Sequence, residues 1–345
     1  MTLFILPASS GRNKARAPRS TVSPRTAGLP AGGTASYAVD VPLFESLVPV
    51  FALICLGAVL RRVGWLAPQI ATELNRVVAN VALPALLLAK VGTASLELAW
   101  SGRVVAVTCL VTGLGSVIVL FGSRLVGLPA NQWGVTTQAA TRGNIAYVAF
   151  PLVLHGWGDD AFRMAAVTAA LLIPVMNVLS VGVLEHARGR GMGVWRSCTR
   201  VIVNPLVVAT LSGLALAELH WQPWRWLRIG LDTLGGLALP GALLALGALA
   251  NLASLHRVWR PAVVASTVKL GVLPLVGWLV LRKMDVSPIE LAIGVVMLGV
   301  PTAVASFPVA TDLEGDPDLA AACVVLSTIS ALPALAMWGV LLAVR

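Results

Sequence analysis

We predict an all-α integral membrane protein with ten transmembrane helices in a 5+5 inverted repeat. Three observations lead to this fold class: an apolar composition, apolar stretches of about 20 residues that recur along the chain, and a pattern that repeats after 156 residues. Hydrophobic residues make up 57% of the 345 residues and charged residues 12%, whereas soluble proteins contain about 25% charged residues. Together with a mean hydropathy of +0.86, this composition excludes a water-soluble globular protein.

The net charge of +10 indicates contact with membrane lipid headgroups. The 25 Lys and Arg residues are spread between apolar stretches and form no basic face interleaved with aromatic residues, so no nucleic-acid partner is expected. The four cysteines stand singly, without the paired spacing of a zinc site or a disulfide framework. We interpret them as small packing residues and expect no metal and no cofactor.

Residues 1–41 differ in composition from the rest of the chain. They are rich in Ala, Pro, Ser, Gly and Arg, which predicts a disordered basic tail. The short apolar run from Leu3 to Leu6 precedes the basic residues, whereas a secretory signal has the opposite order. A start codon assigned too far upstream is the alternative interpretation of this segment.

Ten apolar stretches follow, each long enough to cross a hydrocarbon core of about 30 Å as a helix. They cover approximately residues 42–62, 70–92, 102–126, 133–155, 159–184, 200–219, 227–250, 260–282, 287–312 and 317–344. Strands of a membrane barrel would alternate strictly between apolar and polar residues, yet residues 81–89 are apolar on every face. The many Gly and Pro residues are tolerated in membrane helices, because neighbouring groups satisfy the freed backbone.

The second half of the chain repeats the pattern of the first. Residues 81–89 resemble residues 237–245 at an offset of 156, and residues 144–151 correspond to residues 300–308 at nearly the same offset. Each unit contains an odd number of spans, so the second unit enters the membrane from the opposite side, as in many secondary transporters. The predicted units are residues 42–184, a basic connecting loop at 185–199, and residues 200–345.

Short motifs in a fixed order extend over residues 42–344. They are Leu56-Gly57, Arg61-Arg62, Asn75-Arg76, Asn80, Pro84, Gly143-Asn144, Pro151-Leu152, Asn204-Pro205, Pro240, Leu246-Gly247-Ala248, Lys269, Pro274, Pro301-Thr302, Ser327-Thr328 and Pro333. In this order they resemble the auxin efflux carrier family of permeases, in its bacterial branch, which includes malate and malonate permeases. One departure is that the crossing proline of the ninth helix in the plant carriers would fall near Ser306, whereas this sequence has Pro308.

The resemblance implies a carrier fold of the kind shared with bile acid sodium symporters. Such a carrier has a scaffold domain and a transport domain, in which the fourth and ninth helices break and cross near the midplane. The resemblance also implies organic-anion cargoes, a multi-pass location in the cell (inner) membrane, and termini on the outer side. Counting basic residues near the span ends favours this orientation only slightly.

Asn144 is the first candidate for cargo binding, because it lies about 17 Å into the fourth span at 1.5 Å per residue. Pro151 follows it and removes a backbone donor, so an unwound segment could present the Asn144 side chain to a substrate carboxylate. The alternative is an Asn that holds two helices together beside an ordinary proline kink. With the matching segment of the ninth span, the predicted substrate-binding residues are Arg142, Asn144, Pro151, Lys269, Pro301, Thr302, Ser306 and Pro308.

Two of these residues are cations whose role has an alternative. Lys269 lies too deep for easy snorkelling, so it balances an anion or pairs with backbone carbonyls. Arg142 could bind the substrate or snorkel towards the cytosolic interface. No Asp, Glu or His lies convincingly at mid-depth, and Asp312, at the inner end of the ninth span, is the coupling candidate against a solvated helix end. Coupling to H⁺, coupling to Na⁺ and uncoupled movement all remain open.

These features predict a secondary active transporter that moves small organic anions, such as malate, malonate or auxin-like acids, by alternating access. A channel-like facilitator is the main alternative, and a membrane-embedded sensor or enzyme is less favoured. Residues 156–159 match the GxGD pattern of intramembrane aspartyl proteases, but they fall in a predicted loop without the facing second carboxylate which that chemistry needs. The oligomeric state is open, and a homodimer is one candidate.

Overall fold

Helices account for almost all of residues 43–93, 101–189, 205–249 and 255–343, which are the residues that the computed structural model describes. Within these ranges the sole strand-like pairing is an isolated antiparallel bridge between Gly143 and Thr302. The predicted tail at residues 1–41 lies outside the described residues, as does most of the predicted loop at residues 185–199. In the described part of that loop, the preceding helix continues to Ala187.

Fourteen α-helices are formed by the described residues. They are α1 (Leu43–Arg62), α2 (Pro68–Val77), α3 (Leu83–Gly92), α4 (Gly102–Leu125), α5 (Ala130–Thr141), α6 (Phe150–Ala187), α7 (Pro205–Glu218), α8 (Arg225–Gly236), α9 (Ala238–Leu249), α10 (Leu255–Thr267), α11 (Leu273–Arg282), α12 (Pro288–Gly299), α13 (Ser306–Asp312) and α14 (Pro317–Ala343). Helix α6 bends sharply at Gly158, where φ is 80° and ψ is −169°. The predicted fourth and fifth spans are joined at this bend.

Six helical stretches of the described residues are long and apolar enough to cross a membrane. They are Pro68–Gly92, Gly102–Leu125, Ile145–Ala187, Arg225–Leu249, Arg257–Arg282 and Pro317–Leu342. Helices α7 and α12 are apolar but shorter. The prediction of an all-helical multi-pass membrane protein is confirmed, whereas the division into ten spans and two inverted repeats stays a prediction.

Three of these described stretches contain a π-helical turn that ends two residues before a proline. The turns are Val78–Ala82 before Pro84, Ile145–Ala149 before Pro151, and Val268–Val272 before Pro274. A proline has no N–H and its ring clashes with the carbonyl four residues earlier, so the helix continues through bonds between residues five apart. The amide of Leu273, for example, donates to the carbonyl of Val268. The carbonyl of Leu270, which Pro274 cannot satisfy, accepts the indole N–H of Trp338 at 2.8 Å.

The helix breaks lie earlier in the chain than the prolines predicted to cause them. Helix α5 ends at Thr141 and helical turns resume at Ile145, so Pro151 lies inside a helix. Because the π-turn accommodates Pro151, that proline does not break the helix. In the second half α12 ends at Gly299, and Val300 is extended (φ −72°, ψ 153°), as the residue before a proline prefers to be. Pro301 therefore ends α12, and Pro308 lies within α13.

Helices α1 and α9 approach each other closely enough to bring their backbones into contact. A Cβ added at Gly57 would lie 2.2 Å from the carbonyl oxygen of Leu244, and one added at Gly247 would lie 1.8 Å from that of Ile54. Small residues at such crossings allow close dispersion contacts between membrane helices, which no hydrophobic force drives together because lipid is equally apolar. This crossing fixes α1 against α9.

Candidate functional site

The two helix interruptions hydrogen-bond to each other. Gly143 and Thr302 form the antiparallel bridge, the amide of Asn144 donates to the carbonyl of Pro301 at 2.8 Å, and the amide of Ala303 donates to the carbonyl of Arg142 at 2.9 Å. Peptide groups freed at a helix break need partners when no water is available. The two breaks therefore satisfy one another, and four helix ends meet at one point.

Thr302 anchors this junction. Its hydroxyl donates to the carbonyl of Ala139 at 2.8 Å, and its amide donates to the hydroxyl of Ser327 at 3.0 Å. The side chain is completely buried. The hydroxyl and the amide of Thr302 are thus both bonded within the protein, so this residue holds the junction in place.

A cavity of about 190 Å³ lies beside the junction. Apolar residues from several helices form most of its wall. The polar side chains that line it are Asn75, Arg142, Asn144, Tyr147 and Asn177. Asn177 and Tyr147 were not among the predicted site residues. The available signal was that each is a polar residue within an apolar stretch, since Asn177 follows Met176 deep in the fifth span and Tyr147 is one of two tyrosines in the chain.

Arg142 supplies the positive charge of this cavity. One terminal nitrogen of its guanidinium donates to Oδ1 of Asn177 at 2.9 Å. No Asp or Glu is among the residues lining the cavity, and none of the described residues forms a salt bridge with Arg142. A cation held within the membrane is costly unless an anion compensates it. The cavity is therefore electrostatically suited to an anion.

Asn144 adds an unused hydrogen-bond donor. The residue is 5% exposed, and its side-chain Nδ2 has no hydrogen-bond partner in the described part of the chain. Oδ1 of Asn75, which lines the same cavity, is also buried without a partner there. Buried polar atoms are nearly always hydrogen-bonded, and an exception points to water or a ligand. Together with Arg142, these groups can hold a small polar molecule.

Lys269 lies at the junction, away from the cavity wall. It is fully buried, and its ammonium donates to the carbonyl of Leu298 at 2.5 Å. A Cβ added at Gly143 would come within 3.0 Å of the same nitrogen. Since α12 ends one residue after Leu298, the ammonium lies at the negative end of the helix dipole. Of the two roles left open by the sequence, the geometry matches pairing with backbone carbonyls.

The remaining predicted residues are dispersed around the junction. Pro151, Pro301 and Ser306 are buried and do not line the cavity, and Oγ of Ser306 has no partner among the residues described. Pro308 is exposed and lines a second, mostly apolar cavity of about 500 Å³. Asp312 ends α13 as an exposed residue, so the structure places it at a solvated helix end.

The apolar cavity adjoins the polar one. The two share Asn75, Val304 and Ala305 as wall residues. A third cavity, also about 500 Å³, lies towards the other end of the Pro68–Gly92 stretch and is rich in charged residues. There Lys90 pairs with Asp159 at 2.9 Å. Cavities thus lie towards both ends of the Pro68–Gly92 stretch.

A polar cavity beside two interrupted helices, within an apolar multi-pass chain, is typical of membrane transport proteins. The chain belongs to the family described as membrane transport protein, whose model matches residues 42–339. The resemblance to the auxin efflux carriers is thereby confirmed.

Two relatives share most of their length with this chain. An "Uncharacterized transporter" from Methanothermobacter thermautotrophicus is 28% identical over 303 residues, covering 86% of this chain and 98% of the relative. A "Putative malonate transporter" from Rhizobium meliloti is 27% identical over 303 residues, covering 82% and 90%. Among solved structures, a sodium proton antiporter from Methanocaldococcus jannaschii is 14% identical, with a TM-score of 0.45 over 88% of this chain and 99% of that one.

Proposed function

We propose that the protein is a secondary active transporter of small organic anions, and that the cavity beside the junction is where the anion binds. The observation that carries the proposal is the position of Arg142, a cation without an acidic partner among the described residues, beside the unused amide donor of Asn144. A carboxylate at this position would accept charge-assisted hydrogen bonds from both groups. A volume of about 190 Å³ suits an acid of a few carbon atoms.

We further propose that the chain is a 5+5 inverted repeat in which the fourth and ninth helices break and cross. In the first half, an interruption separates α5 from α6. In the second half, an interruption likewise separates α12 from α13. In such carriers, one domain moves against the other and exposes the site alternately to each side. The cavities towards the two ends of the Pro68–Gly92 stretch support this mechanism.

Malonate is the first cargo to test. One relative is named a putative malonate transporter, malonate is small enough for the cavity, and one of its two carboxylates could pair with Arg142. We also propose that transport is coupled to H⁺ or Na⁺. The protein would lie in the cell membrane, where lipid surrounds it. A homodimer is compatible with it.

The experiment is counterflow in liposomes that contain the purified full-length chain. Labelled malonate, malate and indole-3-acetate are offered to vesicles preloaded with the same unlabelled acid, with and without an imposed gradient of H⁺ or Na⁺. A carrier predicts saturable uptake that unlabelled acid on the opposite side accelerates. Uptake that rises linearly with concentration and shows no acceleration would identify a channel-like facilitator and contradict the proposal.

A further inference from the structure

The partner of Arg142 is unusual for a cation in a membrane protein. Oδ1 of Asn177 accepts the 2.9 Å hydrogen bond from the guanidinium. Arg142 belongs to the interruption after α5, whereas Asn177 lies in α6, 35 residues further along the chain. The contact therefore fixes the guanidinium of an unwound segment against a regular helix. Both residues are half-buried and line the same cavity.

A neutral amide orients the guanidinium without cancelling its charge. Ionisable groups within membranes usually pair with one another, and an Asp at position 177 would have the same size as Asn and would form a full ion pair. Such a pair would satisfy Arg142 internally and leave little attraction for an incoming anion. The Asn therefore supplies the acceptor geometry of an Asp and omits its charge.

We infer that Asn177 is a positioning residue, which holds the Arg142 guanidinium at the cavity wall and leaves its charge uncompensated until a cargo carboxylate arrives. This inference rests on the proposed function of the cavity and adds a determinant of anion binding to it. A carboxylate of the bound cargo then supplies the anionic partner that Arg142 lacks among the described residues. A bound anion should consequently stabilise the fold.

The decisive test uses thermal unfolding of the purified full-length protein without cargo. Asn177→Asp should raise the melting temperature by about 2–4 °C, because Arg142 is already held within the membrane without an anionic partner and the new carboxylate supplies one. In an Arg142→Met background the same Asn177→Asp change should lower the melting temperature, since it then introduces a carboxylate without a cation. Asn177→Asp that lowers the melting temperature equally in both backgrounds would overturn the inference.

Malonate counterflow provides the functional readout. Asn177→Asp should abolish saturable uptake although the protein is more stable, an outcome that a merely structural role does not produce. Asn177→Ala should raise KM about 10-fold with kcat nearly unchanged, because a mispositioned guanidinium weakens binding. Asn177→Ser, which retains an oxygen acceptor, should recover part of the affinity. Unchanged KM in both Asn177→Asp and Asn177→Ala would contradict the positioning role.

The two proposals fail separately. A wild-type chain that shows no malonate counterflow contradicts the proposed function for this cargo. The unfolding experiment requires no cargo, so it still determines whether Asn177 and Arg142 are coupled through charge. Loss of counterflow in Asn177→Asp with a lowered melting temperature would be ordinary misfolding and would count against the inference.

Discussion

The amide of Asn144 donates to the carbonyl of Pro301 across 2.8 Å. These residues are 157 positions apart, and each lies in an interrupted helix. Asn144 also lines the cavity, and its side-chain Nδ2 is buried without a hydrogen-bond partner among the described residues. Asn144 thus belongs to the junction through its backbone N–H and to the candidate site through its side-chain amide.

Asn144→Ala tests the candidate site. It should raise KM for the transported anion roughly 10-fold or more, because the loss of one hydrogen bond to a desolvated anion weakens binding by about 1–3 kcal/mol. Protein abundance should change little, because the backbone bond to Pro301 remains. The measurement is counterflow kinetics in liposomes at matched protein content.

Asn80→Ala is the matched control for this prediction. Asn80 is exposed, and its amide donates to the carbonyl of Arg76 at 2.8 Å, away from the cavity. Its kinetics should equal those of the wild type. If Asn144→Ala lowers abundance while its KM stays normal, Asn144 holds helices together and binds no cargo.

Gly143→Ala tests the packing at the junction. The new Cβ would lie 3.0 Å from the Lys269 ammonium and 3.1 Å from a methyl group of Val300, which is tighter than ordinary contact. We expect a loss of about 1–3 kcal/mol in stability, measured as a lower melting temperature. Gly113→Ala in α4 is the control, because nothing lies within 4 Å of its added Cβ. Equal melting temperatures for both variants would contradict this close approach of Lys269 and Val300 to Gly143.

Lys269→Gln distinguishes a structural cation from a cargo ligand. The ammonium donates to the carbonyl of Leu298 at the end of α12. Its loss should therefore destabilise the junction and reduce the transport of every cargo alike. Melting temperature and maximal uptake should fall together, in the same proportion for mono- and dicarboxylates. A loss confined to dicarboxylates would instead place Lys269 in the binding site.

Gly247→Ala tests the crossing of α1 and α9. Its Cβ would overlap the backbone carbonyl oxygen of Ile54 at 1.8 Å, so the two helices must separate, at a cost of about 3 kcal/mol. Expression and melting temperature should both fall. Gly230→Ala in α8 has open space around it and should be neutral or slightly stabilising, since Ala favours helix by up to about 1 kcal/mol. A tolerated Gly247→Ala would show that these helices are further apart.

The fold class follows from the sequence because composition and span length are properties of the chain itself. The position of the helix breaks does not. Pro151 is a strong local signal, yet a π-turn accommodates it, and the break occurs where Asn144 can pair with Pro301. That pairing depends on residues far apart in the chain, so tertiary contacts decide it.

The candidate site shows the same limit. Asn144 and Arg142 could be predicted because polar residues within an apolar stretch are costly. Asn177 was missed, since its significance arises from packing α6 against the interruption. Lys269 was identified as deep, but only the structure shows that its ammonium is occupied by a carbonyl.

The most direct test of whether the anion binds at this junction is whether bound anion protects a cysteine introduced at position 304 from a thiol reagent. Val304 lines both the polar and the apolar cavity. In a variant without the four native cysteines, Val304→Cys should react with a small thiol reagent, and the transported anion should slow this reaction with a half-maximal concentration equal to its KM. A reaction rate unaffected by saturating cargo that the same variant demonstrably transports would contradict binding at this site.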